Sequence, residues 1–191
     1  MKNRDKKGGC MKSIIFIIFN IILGVAIGIV IKIGSAGIPL GTTLNDILFA
    51  VGNASSGLFI WIAICTMISL LSKSKKWAAI NVFVFLASMI TANYLYSYFV
   101  AEWFVLRIVI FWCIMLIPCT FLGYYIWNIK QNKKIWKIKL KNITLISGTI
   151  IMLWDMFMNN SIGLLPSAIL TVVLYIGFVA SLLLATKNVK K

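Results

Sequence analysis

Nearly all the basic residues of this chain lie in every second gap between its long apolar segments. Lysine and arginine cluster in four stretches, residues 1–12, 73–76, 130–141 and 187–191. The three gaps that alternate with them contain neither residue, at 34–46, 101–103 and 159–161. Because loops that remain in the cytoplasm carry an excess of these residues, the alternation predicts six membrane-spanning segments with both termini in the cytoplasm.

The composition also favours a membrane protein. Hydrophobic residues make up 61% of the chain and the mean hydropathy is +0.99, whereas soluble domains are about half apolar. Backbone groups in hydrocarbon need partners within their own segment, so the spans are predicted to be helices of one all-α bundle in the lipid bilayer. The formal net charge is +15, but the basic residues flank apolar segments, so we expect no nucleic-acid partner.

The predicted spans cover residues 13–33, 47–71, 77–100, 104–127, 143–158 and 162–186. Residues 13–186 thus form one six-helix transmembrane domain, between basic cytoplasmic tails at 1–12 and 187–191. The second span is interrupted by small and polar residues at 51–57. The sequence leaves open whether this stretch continues the helix or breaks it, as in a re-entrant segment.

Several classes of enzyme are excluded by residues that the chain lacks. It has no histidine, which removes H-E-x-x-H zinc sites and Ser-His or Cys-His nucleophilic pairs. Its four acidic residues share no motif, and there is no glycine-rich phosphate-binding loop. We therefore predict a non-enzymatic protein with no catalytic residue, no cofactor and no metal. An intramembrane enzyme using Asp46, Glu102 and Asp155 is the least favoured alternative.

Three of the acidic residues lie toward the outer face in this topology. Asp46 begins the second span, Glu102 lies in the outer gap before the fourth, and Asp155 lies near the end of the fifth. Arg107 lies at a depth similar to that of Asp155, and an isolated charge at that depth is costly. We therefore expect Arg107 and Asp155 to pair. The alternatives are Glu102 as the partner of Arg107, or snorkelling of Arg107 to the interface.

Uncharged polar residues accompany these charges on two helix faces. In the fifth span the residues that share one face are Thr144, Gly148, Asp155 and Asn159, and that face should point into the bundle. In the third span a similar face carries Thr91, Tyr94 and Tyr98.

Together these faces predict an outward-facing polar pocket with aromatic walls from Tyr94, Tyr98 and Trp154. The candidate pocket residues are Asp46, Asn53, Asn93, Tyr94, Glu102, Arg107, Asp155 and Asn159. The alternative is that these groups serve only as an interfacial aromatic belt and as interhelical hydrogen bonds.

Small residues mark two further helix faces. Asn20, Gly24 and Gly28 form a stripe along the first span, and Gly163 and Ser167 begin a similar one on the sixth. Small residues let helix backbones approach closely, so both stripes are predicted to be helix-contact surfaces. The sequence does not decide whether they meet each other, a second copy of the chain or another transmembrane protein.

The basic stretch at 130–141 interleaves lysines with apolar residues, which places both kinds of group beside the inner leaflet. Such a segment is expected to lie on anionic lipid headgroups. The plainer interpretation is an anchor that only fixes orientation, and docking of a cytoplasmic partner is the alternative.

In size, six spans, cytoplasmic termini and basic inner loops, the chain resembles the small six-span membrane protein families of bacteria. It also resembles in outline the substrate-binding subunits of energy-coupling-factor vitamin transporters. That resemblance implies an outward-facing site covered by residues 34–45, and contact of Gly24 and Gly28 with a shared transmembrane partner. We therefore expect a multi-pass protein of the bacterial plasma membrane that binds or transports a small solute. The alternative is a non-catalytic interaction or assembly protein that acts through its small-residue helix faces.

Overall fold

The computed structural model describes the backbone of residues 2–36, 46–47, 49, 51–52, 57–100, 105–130, 134–160 and 165–187. Every regular element of more than two residues in these ranges is a helix. In chain order they are α1 (Lys2–Ala36), α2 (Leu58–Leu71), α3 (Lys75–Phe99), α4 (Leu106–Ile126), α5 (Lys134–Asn160) and α6 (Leu165–Lys187). A 3₁₀ turn at Trp127–Lys130 extends α4.

Five of the described helices are long and apolar enough to cross a membrane. The segments are Ser13–Gly34, Lys75–Phe99, Leu106–Lys130, Ile138–Phe157 and Ala168–Ala185. Large apolar side chains such as Phe99 and Phe157, 73% and 75% exposed, cover the outside of the bundle. In water such a surface would aggregate, whereas lipid tails solvate it. The predicted all-α membrane character is thereby confirmed.

The second predicted span is the exception, because α2 is only 14 residues long. At 1.5 Å per residue it extends about 21 Å, less than the roughly 30 Å hydrocarbon core. The residue before it, Gly57, has extended backbone angles (φ −74°, ψ 148°). The small-residue stretch therefore breaks the helix at Gly57, which answers the question that the sequence left open.

Despite its length, α2 lies at the centre of the bundle and contacts α3, α4, α5 and α6. Its opposite faces enter two separate hydrophobic clusters. The α1–α3 core comprises Ile31, Cys65, Ile68, Val82, Phe85, Leu86, Met89 and Ile90. The α5–α6 core comprises Phe59, Ala63, Leu70, Ile126, Ile129, Met152, Phe178, Leu182 and Ala185.

The α1–α3 core is held by the most extensive helix–helix contact in the described structure. A Cβ on Gly24 would lie 2.5 Å from the carbonyl oxygen of Phe85, and one on Gly28 would lie 2.5 Å from that of Met89. Only glycine permits this approach of two backbones. The small-residue stripe of α1 therefore meets α3 of the same chain.

The start of α5 differs from the sequence prediction. The helix begins at Lys134, so residues 134–141 of the basic stretch form its first two turns and do not belong to a loop. Apolar composition places the start of this span at residue 143, because it marks only the hydrophobic part of the helix. Lysine is a good helix former, so the helix includes the basic residues that precede the apolar segment.

Candidate functional site

The candidate site is centred on Asp155, which α5 presents to the broken end of α2. The Asp155 side chain is 8% exposed. Its carboxylate Oδ2 accepts a hydrogen bond from the backbone N–H of Phe59, the second residue of α2. The first N–H groups of a helix have no partner within it, and Gly57 has no side chain to cap them. Asp155 therefore acts as the cap, and its charge complements the positive end of the helix dipole.

An aromatic cluster adjoins this carboxylate. The Phe59 ring centroid lies 5.9 Å from that of Tyr175 and 5.8 Å from that of Phe178. The Tyr175 and Phe178 centroids are 6.3 Å apart. One ring from α2 and two from α6 therefore form a single cluster beside the Asp155 carboxylate.

Hydroxyl groups continue the polar face of α5 and α6. Thr149 Oγ1 lies 2.8 Å from the Tyr175 hydroxyl oxygen, and Gly148 lies against the Phe178 ring. Thr171, one turn before Tyr175 on α6, is also buried. The predicted inward face of α5 lies inside the bundle, since Thr144, Gly148 and Asp155 are all buried.

A further hydroxyl faces the same interface from α2. Thr66 is fully buried, and its Oγ1 has no hydrogen-bond partner among the described residues. It lies seven residues from Phe59, nearly two full turns, so both residues share one face of α2. The Asp155 carboxylate, the three rings and these hydroxyls thus lie on the helices that meet around the α5–α6 core.

The opposite end of α2 carries a second polar cluster, which the sequence analysis did not identify. The Ser72 carbonyl accepts hydrogen bonds from Trp127 Nε1 at 2.9 Å and from Lys130 Nζ at 3.3 Å. The Ser72 hydroxyl accepts one from Asn81 Nδ2 at 2.9 Å. A cation at a helix C-terminus complements its dipole, so both ends of α2 are matched by charge. The sequence feature that could have indicated this cluster is Lys130, the basic residue that follows the apolar segment of α4.

The structure does not bring all the predicted pocket residues together. Asn93 donates from Nδ2 to the Gly28 carbonyl at 3.1 Å, and Tyr94 packs against the α1–α3 core. Both belong to the half of the bundle that does not contain Asp155. Asp46 is half-buried, and its Oδ1 has no partner among the described residues.

The expected pair of Arg107 and Asp155 is not formed. Arg107 is exposed on α4, whereas the Asp155 carboxylate meets α2. Equal depth in the membrane did not imply contact, because the two residues lie on different sides of the bundle. Tyr98 and Trp154, the expected aromatic walls, are 61% and 58% exposed and thus lie on the outer surface.

The structure does not describe the remaining predicted residues in full. Asn53, Glu102 and Gly163 lie outside the described residues. Asn159 lies in α5 and Ser167 in α6, but their side chains lie outside the described part.

A cavity in the other half of the bundle has a different character. It measures about 220 Å³ and lies between α2, α3 and α4, where Trp61, Trp112 and Met89 line it. Binding pockets combine apolar walls with a few polar groups that orient the ligand. This cavity has almost none, so it lacks the groups that would orient a polar ligand.

No protein-family model matches the chain, and no curated protein or solved structure is significantly similar to it.

Proposed function

We propose that the protein binds a small solute and transports it along the interface of α2, α5 and α6. The observation that carries this proposal is the buried Asp155 carboxylate at the broken end of a helix within the apolar bundle. Ionisable groups within membranes are costly and are found where solutes or ions pass. Discontinuous helices also form the binding sites of many transporters.

The proposal includes an orientation. The bundle lies in a bacterial plasma membrane with both termini in the cytoplasm, and the Asp155 end of α5 faces outward. Single cysteines at Ser35 and Asn160, in a background without native cysteines, should be labelled by an impermeant thiol reagent on intact cells. A cysteine at Gln131 should be labelled only after the cells are opened. Labelling of Gln131 alone in intact cells would reverse the orientation.

The assembly alternative is less well supported. It relies on two small-residue faces: Gly24 and Gly28 are occupied by α3 of the same chain, whereas Gly163 and the side chain of Ser167 lie outside the described residues. The same contact weighs against an energy-coupling-factor arrangement in which these glycines meet a partner subunit.

The test of solute binding compares the small molecules that the purified proteins retain. Wild-type protein and the Asp155→Asn variant are purified in nanodiscs, and extracts are compared by untargeted mass spectrometry. Phe157→Leu serves as control, because Phe157 lies on the same helix with its side chain 75% exposed to lipid. A compound enriched with wild type and with the control, but absent from Asp155→Asn, is expected. Identical extracts from all three proteins would reject solute binding at Asp155.

A further inference from the structure

We propose that the solute is a small organic cation, whose ammonium group pairs with Asp155 and lies against the rings of Phe59, Tyr175 and Phe178. This inference rests on the proposed function and names its substrate class.

The first argument is charge. The 14 residues of α2 and the apolar segment Ala168–Ala185 of α6, the two helices packed around Asp155, contain no charged residue. On α5 the described segment Ile138–Phe157 carries cations only at Lys139 and Lys141, three turns or more from Asp155. Arg107, the nearest cation in membrane depth, is exposed on α4 and does not pair with it. Apart from the N-terminus of α2, which it caps, Asp155 has no charged side chain packed against it from the described parts of α2, α5 and α6, so its carboxylate can pair with a cationic solute.

The second argument is the aromatic cluster. The negative face of an aromatic ring attracts an ammonium group within about 6 Å of its centroid, and this attraction grows when water is excluded. The rings of Phe59 and Phe178 are fully buried, so they meet that condition. The rings pack against one another, so a cation would enter by separating them.

The third argument is independent of both and concerns Thr66. Its hydroxyl oxygen is fully buried and has no hydrogen-bond partner among the described residues, and Thr66 lies on the same face of α2 as Phe59. In an apolar interior an unpaired hydroxyl is costly. It can accept a hydrogen bond from an N–H group. Acceptor oxygens at Asp155 and Thr66 suit a ligand that supplies N–H donors.

The experiment uses three probes of similar size on the full chain in nanodiscs, with empty nanodiscs as blank. Benzylamine is protonated at neutral pH, benzyl alcohol is its neutral counterpart, and benzenesulfonate is an anion. Isothermal titration should show saturable binding of benzylamine alone. Asp155→Asn should weaken it about tenfold or more, because a charge-assisted contact becomes a neutral one. Tyr175→Leu should weaken it about threefold through loss of a ring face.

The thermal midpoint of each variant, measured without probe, establishes that it is folded. If Asp155→Asn is too unstable to measure, Tyr175→Leu and Thr66→Val, which removes the hydroxyl and keeps the shape, provide the test. Preference for the alcohol or the anion over benzylamine, or undiminished benzylamine binding in these variants, would overturn the inference.

The two proposals fail separately. If a solute is retained in an Asp155-dependent way but proves neutral or anionic, solute binding at Asp155 stands and the cation assignment falls. If nothing is retained and benzylamine does not bind, both fall.

Discussion

The two cores that share α2 are held together in different ways. Around the α1–α3 core, glycines bring two backbones into direct contact, and the Asn93 amide bonds to the Gly28 carbonyl. Around the α5–α6 core, side chains separate the helices, with the Phe178 ring over Gly148 and a hydroxyl pair between Thr149 and Tyr175.

The difference matters because lipid tails give no hydrophobic drive for helix association. Contact between backbones fixes the distance and angle of two helices, whereas contact through rings and hydroxyls can change when side chains rotate. We therefore expect the α1–α3 half to act as a rigid frame and the α5–α6 half to move when a solute enters.

The largest effect is expected from Gly28→Val. Its side chain would collide with the backbone of Met89, which cannot move aside as a flexible side chain can. Overpacking of this kind costs about 1–3 kcal/mol, and here we expect the upper end. The thermal midpoint of the purified protein should fall strongly.

The matched control is Gly177→Val, since a Cβ at Gly177 meets nothing within 4 Å. Its midpoint should stay near that of wild type. Equal loss in both variants would mean that glycine is needed for reasons other than the approach of α1 to α3.

A smaller loss is expected at the cap of α2. Asp155→Leu leaves the Phe59 N–H buried without its acceptor, which costs about 1–3 kcal/mol. Asp155→Asn keeps an acceptor oxygen and should lie between the leucine variant and wild type. The free energy of unfolding in mixed micelles, from denaturant titration, measures the series. If Asp155→Leu proves as stable as wild type, the carboxylate does not stabilise the fold as a cap of α2.

At the opposite end of α2, Trp127→Phe removes one of the two donors to the Ser72 carbonyl. Lys130 still donates to that oxygen, so the acceptor stays satisfied and the loss should be about 1 kcal/mol. Combining it with Lys130→Met should cost more than the sum of the single changes, because only the double variant leaves the carbonyl unpaired. Strict additivity in this cycle would contradict the shared acceptor.

The smallest effect is expected from Asn93→Ala. Interhelical hydrogen bonds in membranes contribute about 0.6 kcal/mol on average, and the backbone contact at Gly28 remains. Solute retention should be unchanged, since Asn93 belongs to the half of the bundle that does not contain Asp155. Loss of retention in this variant would restore Asn93 to the site and break the division into two halves.

Much of the fold followed from local chemistry. The apolar segments predicted five of the helices, and the spacing of Thr144, Gly148 and Asp155 predicted their shared inward face. The site was predicted less well. The sequence identified Asp155 as important but paired it with Arg107, because depth along the membrane can be read from sequence while position around the bundle cannot.

The apolar helices could be predicted from sequence, because partition between water and lipid depends on each segment alone. The sequence also marked the weak point at residues 51–57 of the second span. Only the tertiary structure decided that the resulting short helix becomes the centre of the bundle, with Asp155 at one end and Lys130 at the other. Asp155 and Phe59 are 96 residues apart, and their contact is selected by the simultaneous packing of α2, α5 and α6.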